Sequence, residues 1–205
     1  LKIEYLIEKP TLISNNNSFE SVIFKGVSSG YDLKKLNKFI VNSKISDKLF
    51  NNEIIISRLI ADKLDIEEGD VVTLYFQTSN NQRIPNVRSY SVKHIFESDF
   101  PDFDNNYLIG NAQSLQNIFK WGSNDYSMIE ISLNNKTKIF DIESSIRELK
   151  SLEKNNLSVK SISTKYENIF SWVSIFDFNI IVIVVLMVFI AIISVTISIF
   201  TLIFE

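Results

Sequence analysis

Residues 178–204 read FNIIVIVVLMVFIAIISVTISIFTLIF, 27 positions without one Asp, Glu, Lys or Arg, closed off by Asp177 on one side and Glu205 on the other. Twenty-two of them are apolar. As an α-helix rising about 1.5 Å per residue the run reaches roughly 40 Å, beyond the roughly 30 Å of a bilayer's hydrocarbon core. A helix in a soluble core rarely stays apolar on every face for so long, because one side usually meets water. The run predicts a C-terminal transmembrane helix, 178–204.

Every other charged residue lies in 1–177, where 21 basic residues face 23 acidic ones. That balance excludes the basic stripe on which nucleic-acid binding depends. Cysteine is absent, which removes disulfides and thiolate zinc sites. The chain begins at Leu1 with no basic and apolar leader, so it reads as a piece of a longer protein whose earlier part carries the head across the membrane. Residues 1–165 are expected to form an extracytoplasmic domain and 166–177 a juxtamembrane connector.

The pattern within the head is α+β. Strands are expected at 2–7 and 19–27, around a polar turn at 14–18. Asp32 is placed to cap a short helix carrying Leu33, Leu36, Phe39 and Ile40. Strand 53–56 leads to Ser57, the cap of a helix through Leu64. A strand at 71–76 and its return at 89–96 flank a polar excursion, 77–88, where Pro85 must leave the ladder. A strand at 107–109, a helix from Asn111 through Lys120, ended by Gly122, and a strand at 128–133 follow. An amphipathic helix at 138–152, a strand at 157–162 and a cap at Thr164 complete the head.

Groups that carry chemistry are sparse. None of the five glycines falls in a phosphate-cradling pattern. The lone histidine, His94, sits mid-strand and reads as structural. Asp99, Asp102 and Asp104 lack the spacing of a calcium loop and read as a solvated loop. No catalytic residue, cofactor site or metal site is expected, and the chain is not expected to be an enzyme.

The membrane flank says more. Tyr166, Phe170, Trp172 and Phe176 place amphipathic rings where a helix meets lipid headgroups. Inside the span, Ala191, Ser194, Ser198 and Thr201 form one stripe of small and hydroxylated side chains, on which a second helix could pack closely.

Several segments in sequence order resemble the extracytoplasmic domain of the FtsX-like/MacB-type ABC transporter permeases, and among them the lipoprotein-releasing permeases most. They are Glu53-Ile-Ile-Ile-Ser57, Ala61-Asp-Lys-Leu64, Gly69-Asp-Val-Val72, Ser91-Val-Lys-His-Ile-Phe96, Asn111 to Phe119, and Ile169-Phe170-x-Trp172 with the closing Leu-Ile-Phe-Glu205. The resemblance spans about residues 20–205. It implies a porter- and sabre-like head followed by the second transmembrane helix of a permease subunit in the bacterial inner membrane, with 1–177 on the periplasmic side. It also implies a second permease copy, a separate cytoplasmic ABC ATPase, and motion passed to the head by mechanotransmission. Arg83-Ile84-Pro85 with Arg88 resembles the hairpin called the hook, which in one of the paired lipoprotein-releasing subunits docks a soluble periplasmic carrier. MacB-like efflux and FtsX-like regulation of cell-wall hydrolases are alternatives within the family. Outside it stands the sensor ectodomain of a membrane signalling receptor, which would continue after Glu205 into a cytoplasmic signalling segment.

Overall fold

The computed structural model describes residues 2–16, 18–40, 45, 49–77, 84–132 and 158–204. They belong to two compact units, Leu1–Asn134 and Asn135–Glu205. The chain is α+β: a sheet with short helices in the first unit and one long apolar helix in the second.

The first unit is built on seven strands: β1 (Lys2–Asn15), β2 (Ser18–Val27), β3 (Glu53–Ser57), β4 (Val71–Phe76), β5 (Asn86–Phe96), β6 (Tyr107–Asn111) and β7 (Met128–Ser132). β1 is twice the expected length and continues through Pro10. Proline is tolerated there because β1 pairs with β7 over 2–6 and with β4 over 12–14, so position 10 has a ladder on one side only. The β1–β2 turn is tight: Asn15 pairs with Ser18, and Asn16 takes φ 43°, a left-handed conformation that asparagine adopts readily.

The pairings run β2-β6-β3-β5-β4-β1, and β1 pairs again with β2. Six strands therefore form a closed circuit. β7 hangs outside it, on the first half of β1. Alternation along the strands divides the apolar residues between two clusters. Ile7, Phe24, Ile54, Ile56 and Leu108 join the larger one, with Ile60 and Leu64 of α1 (Arg58–Leu64) and Leu115 of α3 (Ala112–Phe119). Leu6, Val27, Ile55 and Ile109 join the smaller one with Leu33 and Phe96. Gly26 and Gly110 lie side by side on β2 and β6, where α3 and the Phe24 ring approach closest.

Caps set the helix ends. Ser57 Oγ accepts the Ile60 N–H at 3.1 Å and donates to the Asp104 carbonyl. Asn111 Oδ1 accepts from Gln113 N at 2.9 Å, while its amide donates to the Leu49 carbonyl. α3 ends with Lys120 as its C-cap, in the left-handed region at φ 55°, where the expected helix from Asn111 through Lys120 also stops. The expected helix after Asp32 is a 3-10 turn, Leu33–Lys38, and the Asp32 side chain caps nothing. Asp104 closes the short helix α2 (Pro101–Asp104). It is buried rather than solvated, its carboxylate accepting both the backbone N–H and the hydroxyl of Ser98.

Near the start of β1, buried Glu4 meets the ammonium groups of Lys2 at 2.6 Å and Lys35 at 3.6 Å. Burial alone would raise its carboxyl, but the Lys2 hydrogen bond, the Asp32 N–H and Lys35 outweigh it and hold the group below the ordinary range. Burial pushes His94 down, with Lys93 acting the same way against Glu68 and Glu53. Both groups bind protons more tightly when the chain unfolds, so acid favours unfolding through each. Thermal stability is expected to fall first as pH drops below about 6.5, through His94, and again below about 4.3, through Glu4. His94→Gln should erase the first limb and Glu4→Gln the second, in melts recorded across pH.

In the second unit, residues 158–161 are not a strand. Ser161 caps α4 (Ile162–Lys165), its hydroxyl accepting the Thr164 N–H, so Thr164 is the capped residue and not the cap. α5 (Glu167–Phe204) then runs 38 residues, about 57 Å at helical rise. Its Ile175–Phe204 stretch is long and apolar enough to cross a membrane, and none of it is buried. The amphipathic segment expected at 138–152 lies outside the described residues.

Candidate functional site

Two surfaces hold the residues singled out in the sequence, one in each unit. The first is the base of the β4–β5 hairpin. β5 starts at Asn86, three residues earlier than expected, so Arg88 stands on the ladder opposite buried Leu74 rather than in the excursion. Its guanidinium folds back to donate to the Val87 carbonyl at 2.8 Å. Ile84, 81% exposed, and Pro85 precede the strand. Arg83 lies outside the described residues.

The register adds what the sequence did not single out. Leu12 of β1 stands opposite Tyr75 of β4, and Tyr75 opposite Val87 of β5. Directly opposed residues on neighbouring strands share a face. Leu12 and Val87 are both exposed, and the Phe19 ring leans on Tyr75 at 6.0 Å. An outward apolar row thus crosses three strands and ends at Val87, three residues after Ile84. Cross-strand neighbours depend on register, which no local pattern in β1, β4 or β5 discloses.

A second aromatic group gathers at Lys9 of β1. The Lys9 ammonium sits 4.8 Å from the Phe119 ring centre and 4.6 Å from that of Trp121. Phe119 in turn meets Phe76 edge to face. This clasp fastens the end of α3 against β1 and uses up the cation, which makes it structural.

The second surface is α5. Trp172 and Phe176 are exposed one turn apart on it, and Tyr166 ends α4 immediately before it. Phe170 falls within α5, with its side chain outside the described residues. Ala191, Ser194, Ser198 and Thr201 recur on one helix face, and a shallow groove runs between Ser194, Val195, Ser198, Ile199 and Leu202. Each hydroxyl donates to the carbonyl four residues back: Ser194 to Ile190 at 2.9 Å, Ser198 to Ser194 at 2.9 Å and Thr201 to Ile197 at 3.0 Å. Thr196, off the stripe, does the same to Ile192. The donors are satisfied within the helix, so what the stripe offers a neighbour is small size and acceptor oxygens.

Among the described residues, no three His, Cys, Asp or Glu side chains gather to hold a metal ion. No family model matches the chain, and a search of curated proteins returns no match. Solved structures similar to it include the extracellular domain of the noncanonic ABC-type transporter YknZ from Gram-positive bacteria, at 16% identity over 77% of each chain with a TM-score of 0.48. The periplasmic region of MacB from Actinobacillus actinomycetemcomitans is similar at 16% identity, over 74% of this chain and 67% of that one, with a TM-score of 0.46.

Proposed function

We propose that the chain is part of a permease subunit of an ABC transporter, comprising an extracytoplasmic head and the membrane helix that follows it. ATP is hydrolysed by a separate cytoplasmic subunit, and the permease passes the resulting motion to the head. Release of lipoproteins from the inner membrane is the reading for its cargo. The sequence resemblance supports this, and one structural observation carries it: α5 continues without a break from Glu167 through the whole apolar run to Phe204. An α-helix is stiff along its axis, and α5 contains no proline or glycine at which to kink. Displacement of its apolar part is therefore delivered to its juxtamembrane end rather than lost at a hinge.

The test is co-purification. Full-length tagged protein extracted from its own membranes in mild detergent is expected to bring down an ATP-hydrolysing subunit and a second permease copy. Ser194→Leu with Ser198→Leu is expected to lose at least one of them. Recovery of the intact wild-type chain with no ATPase overturns the reading. Carrier docking is a separate arm: Arg83→Glu with Arg88→Glu should weaken a soluble periplasmic partner about tenfold in a pull-down. Equal binding removes the hairpin from docking and leaves the permease reading standing.

A further inference from the structure

We propose that β7 is a releasable strand, able to peel from β1 while the six-strand circuit stays closed. Its place in the topology makes this possible. Among the described residues β7 pairs with β1 alone, over Lys2–Ser132 to Leu6–Met128, and no circuit pairing passes through it. It also holds little apolar burial. None of its five residues is buried: Met128, Ile129 and Ile131 are 37%, 56% and 40% exposed. Every strand of the circuit, by contrast, supplies fully buried side chains to the two clusters. Releasing β7 gives up a short ladder and little hydrophobic stabilisation.

The charges on its inner face make attachment conditional. Glu130 stands directly opposite Glu4, and like charges in that position oppose pairing. Compensation comes from lysines on β1 itself, on β2 and on the 3-10 turn. Lys25 of β2 reaches Glu130 at 3.0 Å, while Lys2 and Lys35 hold Glu4. Lys25 is thus a side-chain tie from β7 to β2, beside the backbone ladder to β1. The strand has a fixed root as well: Ser127 N–H donates to the Leu6 carbonyl, and the Ser127 hydroxyl accepts the Glu8 N–H. Peeling therefore runs from Ser132 back to Ser127. β7 is the last described strand before the residues that lead in sequence to α5. Its release frees five residues, about 17 Å at strand rise.

Hydrogen–deuterium exchange on the full chain in detergent micelles tests this. Amides of β7 are expected to exchange on the order of a hundredfold faster than those of β3, by an opening that low denaturant leaves unchanged. Lys25→Gln is expected to raise the β7 rate about fivefold without altering β3, and Lys25→Arg to keep the wild-type rate. Protection of β7 equal to that of β3 overturns the proposal. So does Lys25→Gln leaving the β7 rate unchanged or accelerating every strand alike. Should Lys25→Gln fail to fold, the wild-type comparison decides alone.

Discussion

Replacing Gly110 with alanine is expected to destabilise the sheet unit by about 3 kcal/mol, a fall of about 10 °C in its melting temperature. A Cβ at this position would lie 2.2 Å from Cζ and 2.6 Å from Cε1 of Phe24. Phe24 has nowhere to retreat. It is fully buried, with Phe76 at 5.8 Å and Tyr90 at 5.6 Å between ring centres. The β6 backbone is equally fixed, because Gly110 pairs with Gly26 on one side and Ile54 on the other. Strain of this kind is relieved by removing the obstacle. Phe24→Leu is destabilising alone, yet combined with Gly110→Ala it should cost less than the sum of the two. Gly30→Ala is the control, since a Cβ there meets nothing within 4 Å. A Gly110→Ala protein that melts with the wild type would show that the Phe24 packing described above is wrong.

The second large effect concerns α5, and magnitudes decide how many substitutions it takes. The run 178–204 holds 20 Ile, Val, Leu and Phe residues, which at about 0.4 kcal/mol each favour insertion by at most about 8 kcal/mol. One arginine near the middle costs about 3 kcal/mol. Ile190→Arg alone should therefore leave the chain in the membrane. Val184→Arg, Met187→Arg and Ile190→Arg together oppose insertion by about 9 kcal/mol and also remove apolar side chains. Produced as residues 1–205, the triple variant is expected in the supernatant after alkaline carbonate extraction, with the wild type and the single variant in the pellet. A wild-type chain extracted by carbonate would sink the membrane reading.

How much of this was legible in the sequence differs from element to element. α5 was plain because a long apolar run has few other physical solutions. The caps at Ser57 and Asn111 were legible because a short polar side chain before an apolar repeat has a local role, independent of distant contacts. The expected strand stops at Ile7, short of Pro10, whereas β1 runs on to Asn15. Only the pairing shows that Pro10 falls between two partners of the same strand. The closed circuit was illegible for the same reason, since it joins residues far apart in the chain, such as Gly26 with Gly110 and Leu12 with Tyr75. At the hairpin, Ile84 and Pro85 were placed correctly outside the strand, while Arg88 belongs to the ladder. The apolar row beside it emerges from register alone. The end of α3 was legible to within a residue, with Lys120 taking the left-handed C-cap conformation two positions before Gly122.

The clasp of Lys9 on Trp121 has a practical side. The chain has two tryptophans, and they occupy opposite kinds of surroundings: Trp121 is packed against the larger core cluster, whereas Trp172 stands 63% exposed on α5. Their emission therefore separates two events in one sample. Trp121 fluorescence follows loss of the sheet's packing, and Trp172 fluorescence follows the arrival of lipid, so a Trp→Phe change at either position isolates the other signal without an added label.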